Sequence, residues 1–351
     1  MSIRRTPLHD EHARLGAKIV PFGGWDMPLS YTGVLAEHKA VRESAGLFDV
    51  SHLGKLEITE EAGEALDRFL PGKVAKLAPW TAGYNLVLNE SGGIVDDIFV
   101  YRTPKSYLLV PNASNTDAVI EALATAGIQS MDQRPDWAII ALSGPRAREI
   151  IVEIAPESAG QKLHTVVETR IADARCLIAR TGYTGEFTAE LIVPSGDAVN
   201  IWNILLENPD VTPAGLGARD TLRLEMGYPL HGHEISEETN PIEAELGWAI
   251  DWQKEFATKP LLEELKSSGT PRKLVGLVSR GREIPRTGYA VSSNGETVGA
   301  VTSGNFSPVL GKGIALAYVN TEVSEPGTIL AVDVRGRPLE AEVTKPPFIK
   351  S

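Results

Sequence analysis

The sequence predicts an α+β region followed by an all-β region, with the change near residues 255–270. Three observations carry this reading. At 351 residues the chain is too long for one ordinary core and calls for two or three domains. Before the change, runs with helical spacing alternate with runs that read as strands. After about Lys266, short apolar runs alternate with Gly, Pro and Asn turns, the pattern of a small antiparallel β-barrel or sandwich.

The elements follow in order. The first thirty residues read as irregular, with FGGWDMP at 22–28 supplying turn chemistry and two large apolar anchors. Val34, His38, Val41 and Ala45 at helical spacing predict a helix over 34–45, ended by Gly46. A strand follows over 55–59, and then three more over 84–89, 93–101 and 107–110, the first two joined by a turn at 91–93. Helices are predicted over 115–126 and 146–154, and strands over 176–180 and 189–193 flank a GYTG turn at 182–185. Two further helices are predicted over 197–207 and 216–226. The all-β part predicts strands at 274–278, 289–292, 297–302, 314–319, 329–334 and 339–343.

Composition excludes several classes. Acidic residues outnumber basic ones by 46 to 34, which argues against a surface built to hold nucleic acid but allows a local basic pocket. No apolar stretch approaches the ~20 residues that span a bilayer, and no apolar run follows the two arginines of MSIRRTP. A single cysteine, Cys176, permits neither an intrachain disulfide nor a Cys-based zinc site. The expectation is a soluble, cytoplasmic, globular protein.

Four segments could carry chemistry. In GGIVDDIFVY at 92–101, two carboxylates interrupt an apolar strand, where a charge is costly unless paired or facing a cavity. Strand alternation sends Asp96 and Asp97 to opposite faces, so they form no paired-carboxylate site; each either caps, pairs with a lysine or lines a ligand pocket. Glu190 is a second carboxylate in an apolar context, four residues after the GYTGE turn at 182–186, and is either an edge-strand glutamate or a site group. AGLGARD at 214–220 has two glycines before a helix but lacks the dinucleotide fingerprint; Arg219 and Arg223, four apart, either make structural ion pairs or contact an anion or carbonyl. HGHE at 231–234 lacks the helical spacing of a zinc motif and reads as a loop. A basic cluster, Arg272, Lys273, Arg280, Arg282 and Arg286, has a single acid, Glu283, in the same stretch, and reads as a solvated edge before a docking patch.

Taken together and in order, these segments resemble the aminomethyltransferase family, the T-protein of the glycine cleavage system. The matching pieces include FGGWDMP at 22–28, GLFDVSHLG at 46–54, GGIVDD at 92–97, NASN at 112–115 and RTGYTGE at 180–186. They continue with GLGARDTLRLE at 215–225 and SGNFSPVLG at 303–311, so the resemblance spans nearly the whole chain. One stretch departs from the family pattern: residues 187–189 read FTA, with the spacing to Glu190 kept.

The resemblance implies an α+β fold, a three-domain cloverleaf around a central folate pocket. Two intertwined α+β subdomains, about 1–50 plus 138–260 and about 51–137, precede a C-terminal antiparallel β-barrel over 265–351. It implies transfer of an aminomethyl carbon from the lipoyl arm of H-protein to tetrahydrofolate, a co-substrate, with no metal and no nucleotide. By motif position the catalytic aspartate is Asp97. The folate contacts are Glu190 and Arg219, with Tyr84, Tyr101, Asn112 and Tyr183 lining the pocket. Two rivals share such an architecture: a folate-dependent demethylase of a small methyl donor, and a non-catalytic folate-binding assembly factor, which typically carries a conspicuous cysteine motif.

Overall fold

The computed structural model describes residues 3–350. The chain divides into two compact units, one holding the residues up to Val87 and Asp97–Arg219, the other Leu88–Asp96 and the chain from Asp220 on. The strand Ile94–Arg102 and the helix Leu216–Met226 each run from one unit into the other.

The first unit is built on sheets. A six-stranded sheet has the order Val166–Ile171, Ala174–Ala179, Thr188–Pro194, Trp137–Ser143, Ala45–Asp49, Val211–Pro213. Its neighbours pair antiparallel except the last, which runs parallel to Ala45–Asp49. Ala189, Leu191 and Val193 alternate onto the face that packs against Ile150, Ile151, Ile201 and Trp202 of two helices, which leaves Thr188 and Glu190 on the opposite face. The second sheet, in the order Thr81–Leu88, Ile94–Arg102, Ser106–Val110, Leu56–Thr59, Met131–Asp132, holds the aspartate pair.

The first thirty residues are not irregular. Lys18–Phe22 and Trp25–Ser30 form an antiparallel hairpin that turns on Gly23 and Gly24, both in the left-handed region (φ 55° and 83°). Two such residues are what a two-residue hairpin loop requires. Pro21 and Pro28 hide the strands from a propensity reading. The helix expected to run to Ala45 stops at Glu43, because Ala45 and Gly46 belong to a central strand. A Cβ at Gly46 would collide with Val41, so the helix lies close on that strand.

In the second unit the choice between barrel and sandwich resolves to a closed six-stranded barrel. Arg337–Thr344 pairs back onto Arg272–Ser279, and Val275, Leu277, Val301, Ala317, Leu330 and Val343 fill the interior. The compact unit begins at Asp220, so the change in sequence grammar near 255–270 marks the onset of the barrel strands. The basic cluster is partly compensated, because the fold brings three of its members acids from elsewhere in the chain. Arg272 meets Glu243 (2.8 Å), Lys273 meets Glu245 (3.7 Å) and Arg280 meets Glu342 (3.0 Å), so three of its five cations sit in ion pairs, while Arg286 donates to Asn305 (3.3 Å). Among the described residues, no helix is long and apolar enough to cross a membrane.

Candidate functional site

Alternation along Ile94–Arg102 places Asp97, Phe99 and Tyr101 on one face and Asp96, Ile98 and Val100 on the other. Asp96 is fully buried, while Asp97 is partly accessible. The Tyr84 hydroxyl donates to Asp97 Oδ2 (3.1 Å) and Asn112 Nδ2 donates to Oδ1 (2.9 Å). The same Asn112 amide lies 3.3 Å from the Asp97 carbonyl oxygen. Two donors from two other segments therefore fix the plane of one carboxylate, as a general base or charge stabiliser requires.

The second cluster centres on Glu190, which stands opposite Ala141 and Ala179 of the neighbouring strands. Its Oε2 accepts from the Tyr101 hydroxyl (3.1 Å) and closely from Thr181 Oγ1, and those two hydroxyls are 3.1 Å apart. Burial, and then the neighbouring Glu190 charge, push the Tyr101 phenol well above its ordinary pKa, so it remains a donor. Among the described residues, Glu190 Oε1 has no protein hydrogen-bond donor.

The third contact is a stack. The Arg219 guanidinium lies 4.9 Å from the centroid of the Tyr183 ring. Burial lowers its pKa, opposed by Glu190 and Tyr183, and no protein acceptor takes any of its side-chain N–H groups among the described residues. An open carboxylate oxygen and an open guanidinium therefore stand in one unit, electrostatically coupled but not bonded to each other.

All seven residues singled out from sequence fall into these three contacts. Phe99 joins the first two: its ring meets Tyr84 edge-on (5.8 Å) and stacks on Tyr101 (6.1 Å, 22°). Sequence reading passed over it, although the period of two that ties Asp97 to Tyr101 runs through it. Thr181 was missed as well; only its place before the GYTG turn pointed to it. The FTA departure is accommodated: Thr188 Oγ1 bonds Ser143 (2.8 Å), and the Phe187 ring lies under Arg180 (3.8 Å) and Arg148 (4.8 Å).

HGHE is a structural loop. His231 Nε2 lies 3.2 Å from the Ile94 carbonyl, His233 Nδ1 lies 3.1 Å from that of Thr302, and Glu234 accepts from Arg223. Among the described residues, no group of three or more His, Cys, Asp or Glu is arranged to hold a metal. A cavity of about 410 Å³ in the first unit is lined by none of the seven residues, and within its lining Arg175 pairs with Glu168 (2.8 Å).

The GLFDVSHLG segment holds a buried polar network of its own. Buried Asp49 accepts from Thr6 Oγ1 (2.6 Å) and the Ser51 amide (2.8 Å), and His12 Nε2 lies 2.9 Å away. Burial would raise its pKa, but His12 and these bonds hold it at about 2. His52 is buried against Phe22, its Nδ1 without a hydrogen-bond partner among the described residues, and burial, reinforced by Arg219 and Lys55 and opposed by Asp49, drops its pKa to about 3. The unfolded chain takes up a proton here below about pH 6.5, whereas the folded chain does so only near pH 3. This contribution is full above pH 6.5 and is lost as pH falls towards 3, by about 1.4 kcal/mol per pH unit. Asp49 is lost only below about pH 4, outside most of that window. Urea unfolding from pH 7 to 4.5 should show the decline, and His52→Gln should shallow it by about one proton. Equal slopes in the two proteins would acquit His52.

Comparison with known proteins bears on the whole chain. The family model "GCVT N-terminal domain" matches residues 8–254, and "Glycine cleavage T-protein C-terminal barrel domain" matches residues 272–350. A protein named aminomethyltransferase from Symbiobacterium thermophilum is 43% identical, covering 100% of this chain and 98% of its own. One of the same name from Bacillus subtilis is 41% identical and covers 99% of each. The crystal structure of the glycine cleavage system aminomethyltransferase T from Bartonella henselae superposes with a TM-score of 0.93 at 34% identity, over 99% of each chain.

Proposed function

The chain belongs to the glycine cleavage T-protein family, and from that premise we propose how its own residues carry the reaction. Its activity is that of an aminomethyltransferase in glycine cleavage. The finer reading is that the aminomethyl group arrives on the lipoyl arm of H-protein and leaves on tetrahydrofolate. The carbon exchanges its bonds to sulfur and to the amine for bonds to two folate nitrogens. Those nitrogens give up two protons, one ending on the thiol of the dihydrolipoyl arm and one on the departing ammonia. The product is 5,10-methylenetetrahydrofolate.

The observation that carries this reading is the pair of open groups. Reduced pterin presents an amino group beside a ring N–H, which Glu190 Oε1 is free to accept while Tyr101 and Thr181 hold Oε2. Arg219, stacked on Tyr183 and without a protein acceptor among the described residues, suits the folate carbonyl or its glutamate tail. Asp97, its plane fixed by Tyr84 and Asn112, is the group to orient the attacking amine, stabilise the positive charge that develops and take part in proton transfer. A cytoplasmic setting belongs to the same reading and is supported by the single, buried Cys176.

The test is aminomethyl transfer. Purified protein with aminomethylated H-protein and tetrahydrofolate should release ammonia and form methylenetetrahydrofolate in equal amounts. Small N-methylated donors should give no turnover without H-protein. Turnover with those donors and none with H-protein would favour the demethylase.

A further inference from the structure

Among the charged side chains of the helix Val34–Glu43, Glu37 and Arg42 are of opposite sign and turned into the protein, and the reaction has no direct use for either. Glu37 is fully buried. Its Oε1 accepts three consecutive amides, of Tyr31 (2.6 Å), Thr32 (2.9 Å) and Gly33 (3.0 Å). Its Oε2 accepts the amide of Gly215 (2.9 Å), 178 residues away in sequence. Gly215 immediately precedes the helix Leu216–Met226, and its carbonyl accepts the Arg219 amide (3.1 Å). One carboxylate thus binds its own helix start to the first turn of the helix that bears Arg219. The approach is close: a Cβ at Gly215 would collide with the Leu29 carbonyl, and one at Gly217 with the Val34 side chain.

The other end of the same helix holds the stacking partner. Arg42, with its side chain only 9% exposed, donates from one terminal nitrogen to the Thr184 carbonyl (2.8 Å) and to Glu186 Oε1 (2.8 Å). Those acceptors stand just after Tyr183 in the tight turn at 182–186. Both members of the Arg219–Tyr183 stack are therefore tied by charge-assisted bonds to residues five apart on one short rigid element.

We propose that the helix Val34–Glu43 is the frame of the Arg219–Tyr183 clamp, with Glu37 and Arg42 as positioning residues that set how the two close on tetrahydrofolate. This rests on the reading that Arg219 and Tyr183 meet the folate. Neither Glu37 nor Arg42 needs to touch the ligand; each acts through the segment it holds. Displacing a partner by a fraction of an ångström weakens a stacked, hydrogen-bonded contact without abolishing it.

A double-mutant cycle on the full chain tests this, with the dissociation constant for tetrahydrofolate measured calorimetrically under anaerobic conditions and thermal unfolding followed in parallel. Glu37→Gln presents an amide group to one set of amides where the carboxylate accepts all four, and Arg42→Ala frees the turn. Each should weaken folate binding about fivefold, while Arg219→Ala weakens it by tenfold or more, the scale of one lost charged hydrogen bond. On the Arg219→Ala background the further loss from either should shrink to less than about twofold, because both effects pass through the Arg219–Tyr183 stack, which that variant removes. Arg42→Lys, which keeps a donor for the Thr184 carbonyl, should recover most of the affinity and covers the case in which Arg42→Ala does not fold. Undiminished losses on the Arg219→Ala background, or wild-type affinity in Glu37→Gln and Arg42→Ala despite lowered unfolding temperatures, would overturn the frame and leave the folate site intact. Wild-type affinity in Arg219→Ala itself would instead overturn the site reading, and the frame with it.

Discussion

Asp97→Asn is expected to fold normally and to turn over about 10²-fold more slowly, or worse, the scale for losing a positioned general base or charge stabiliser. The substitution keeps the size of the side chain and removes only the charge and the ability to accept a proton. Its surroundings can adapt: the Tyr84 hydroxyl can rotate to accept from an amide, and the Asn112 amide can turn its oxygen towards a new N–H. A partly accessible carboxylate on an apolar strand also loses a desolvation cost when it is neutralised. Asp96 makes the control. It lies on the opposite face and is fully buried, so Asp96→Asn should show itself in the unfolding transition before it shows in turnover of folded enzyme. Steady-state assays of both purified variants decide the matter. Near wild-type turnover in Asp97→Asn, or a dead, folded Asp96→Asn, would mean that the other carboxylate is the working one.

What sequence could show of this site follows from the range of the interactions. Period and turn chemistry act over a few residues, so the opposite facing of Asp96 and Asp97 and the barrel strands after residue 266 were readable directly. The hairpin at Lys18–Phe22 and Trp25–Ser30 was not, because two prolines mask strands that only pairing across Gly23 and Gly24 makes favourable. The strand Trp137–Ser143 went unread for a related reason: its partners, Thr188–Pro194 and Ala45–Asp49, are distant in sequence. The seven site residues came from motif resemblance, not from spacing; no local rule joins Tyr84 to Asp97 and Asn112, or Tyr183 to Arg219. Glu37 was beyond reach altogether, since a lone glutamate in a helix reads as surface until Gly215 is found on its carboxylate.

Arg223→Ala should cost about 3–5 kcal/mol of stability, the range for stranding a buried charge, and should do so without a matching effect on folate contacts. Sequence alone presented Arg219 and Arg223 as equals, one helical turn apart, and the structure separates them. Arg219 has no protein acceptor among the described residues, whereas Arg223 is 1% exposed in its side chain and spends its donors inside its own unit. Nε donates to Asp220 (2.9 Å), one terminal nitrogen to the Tyr228 carbonyl (3.0 Å) and Glu234 (3.1 Å), and the other to Ser303 on a barrel strand (2.8 Å). Removing the guanidinium leaves Glu234 fully buried, and among the described residues the Leu230 amide is then the remaining donor on Oε2 while Oε1 already lacks a partner. An uncompensated carboxylate at that depth is the main cost; the volume lost adds a cavity term. The cause can therefore be isolated by restoring charge balance. Arg223→Met should remain strongly destabilised, while Arg223→Met with Glu234→Gln should regain most of the loss, because an apolar and a neutral group replace two charges. Urea unfolding of the wild type, the two single variants and the double variant gives the coupling directly. A loss below about 1 kcal/mol in Arg223→Ala, within the range of an exposed ion pair, or a double variant no more stable than Arg223→Met, would show that the guanidinium does not hold this loop to the barrel.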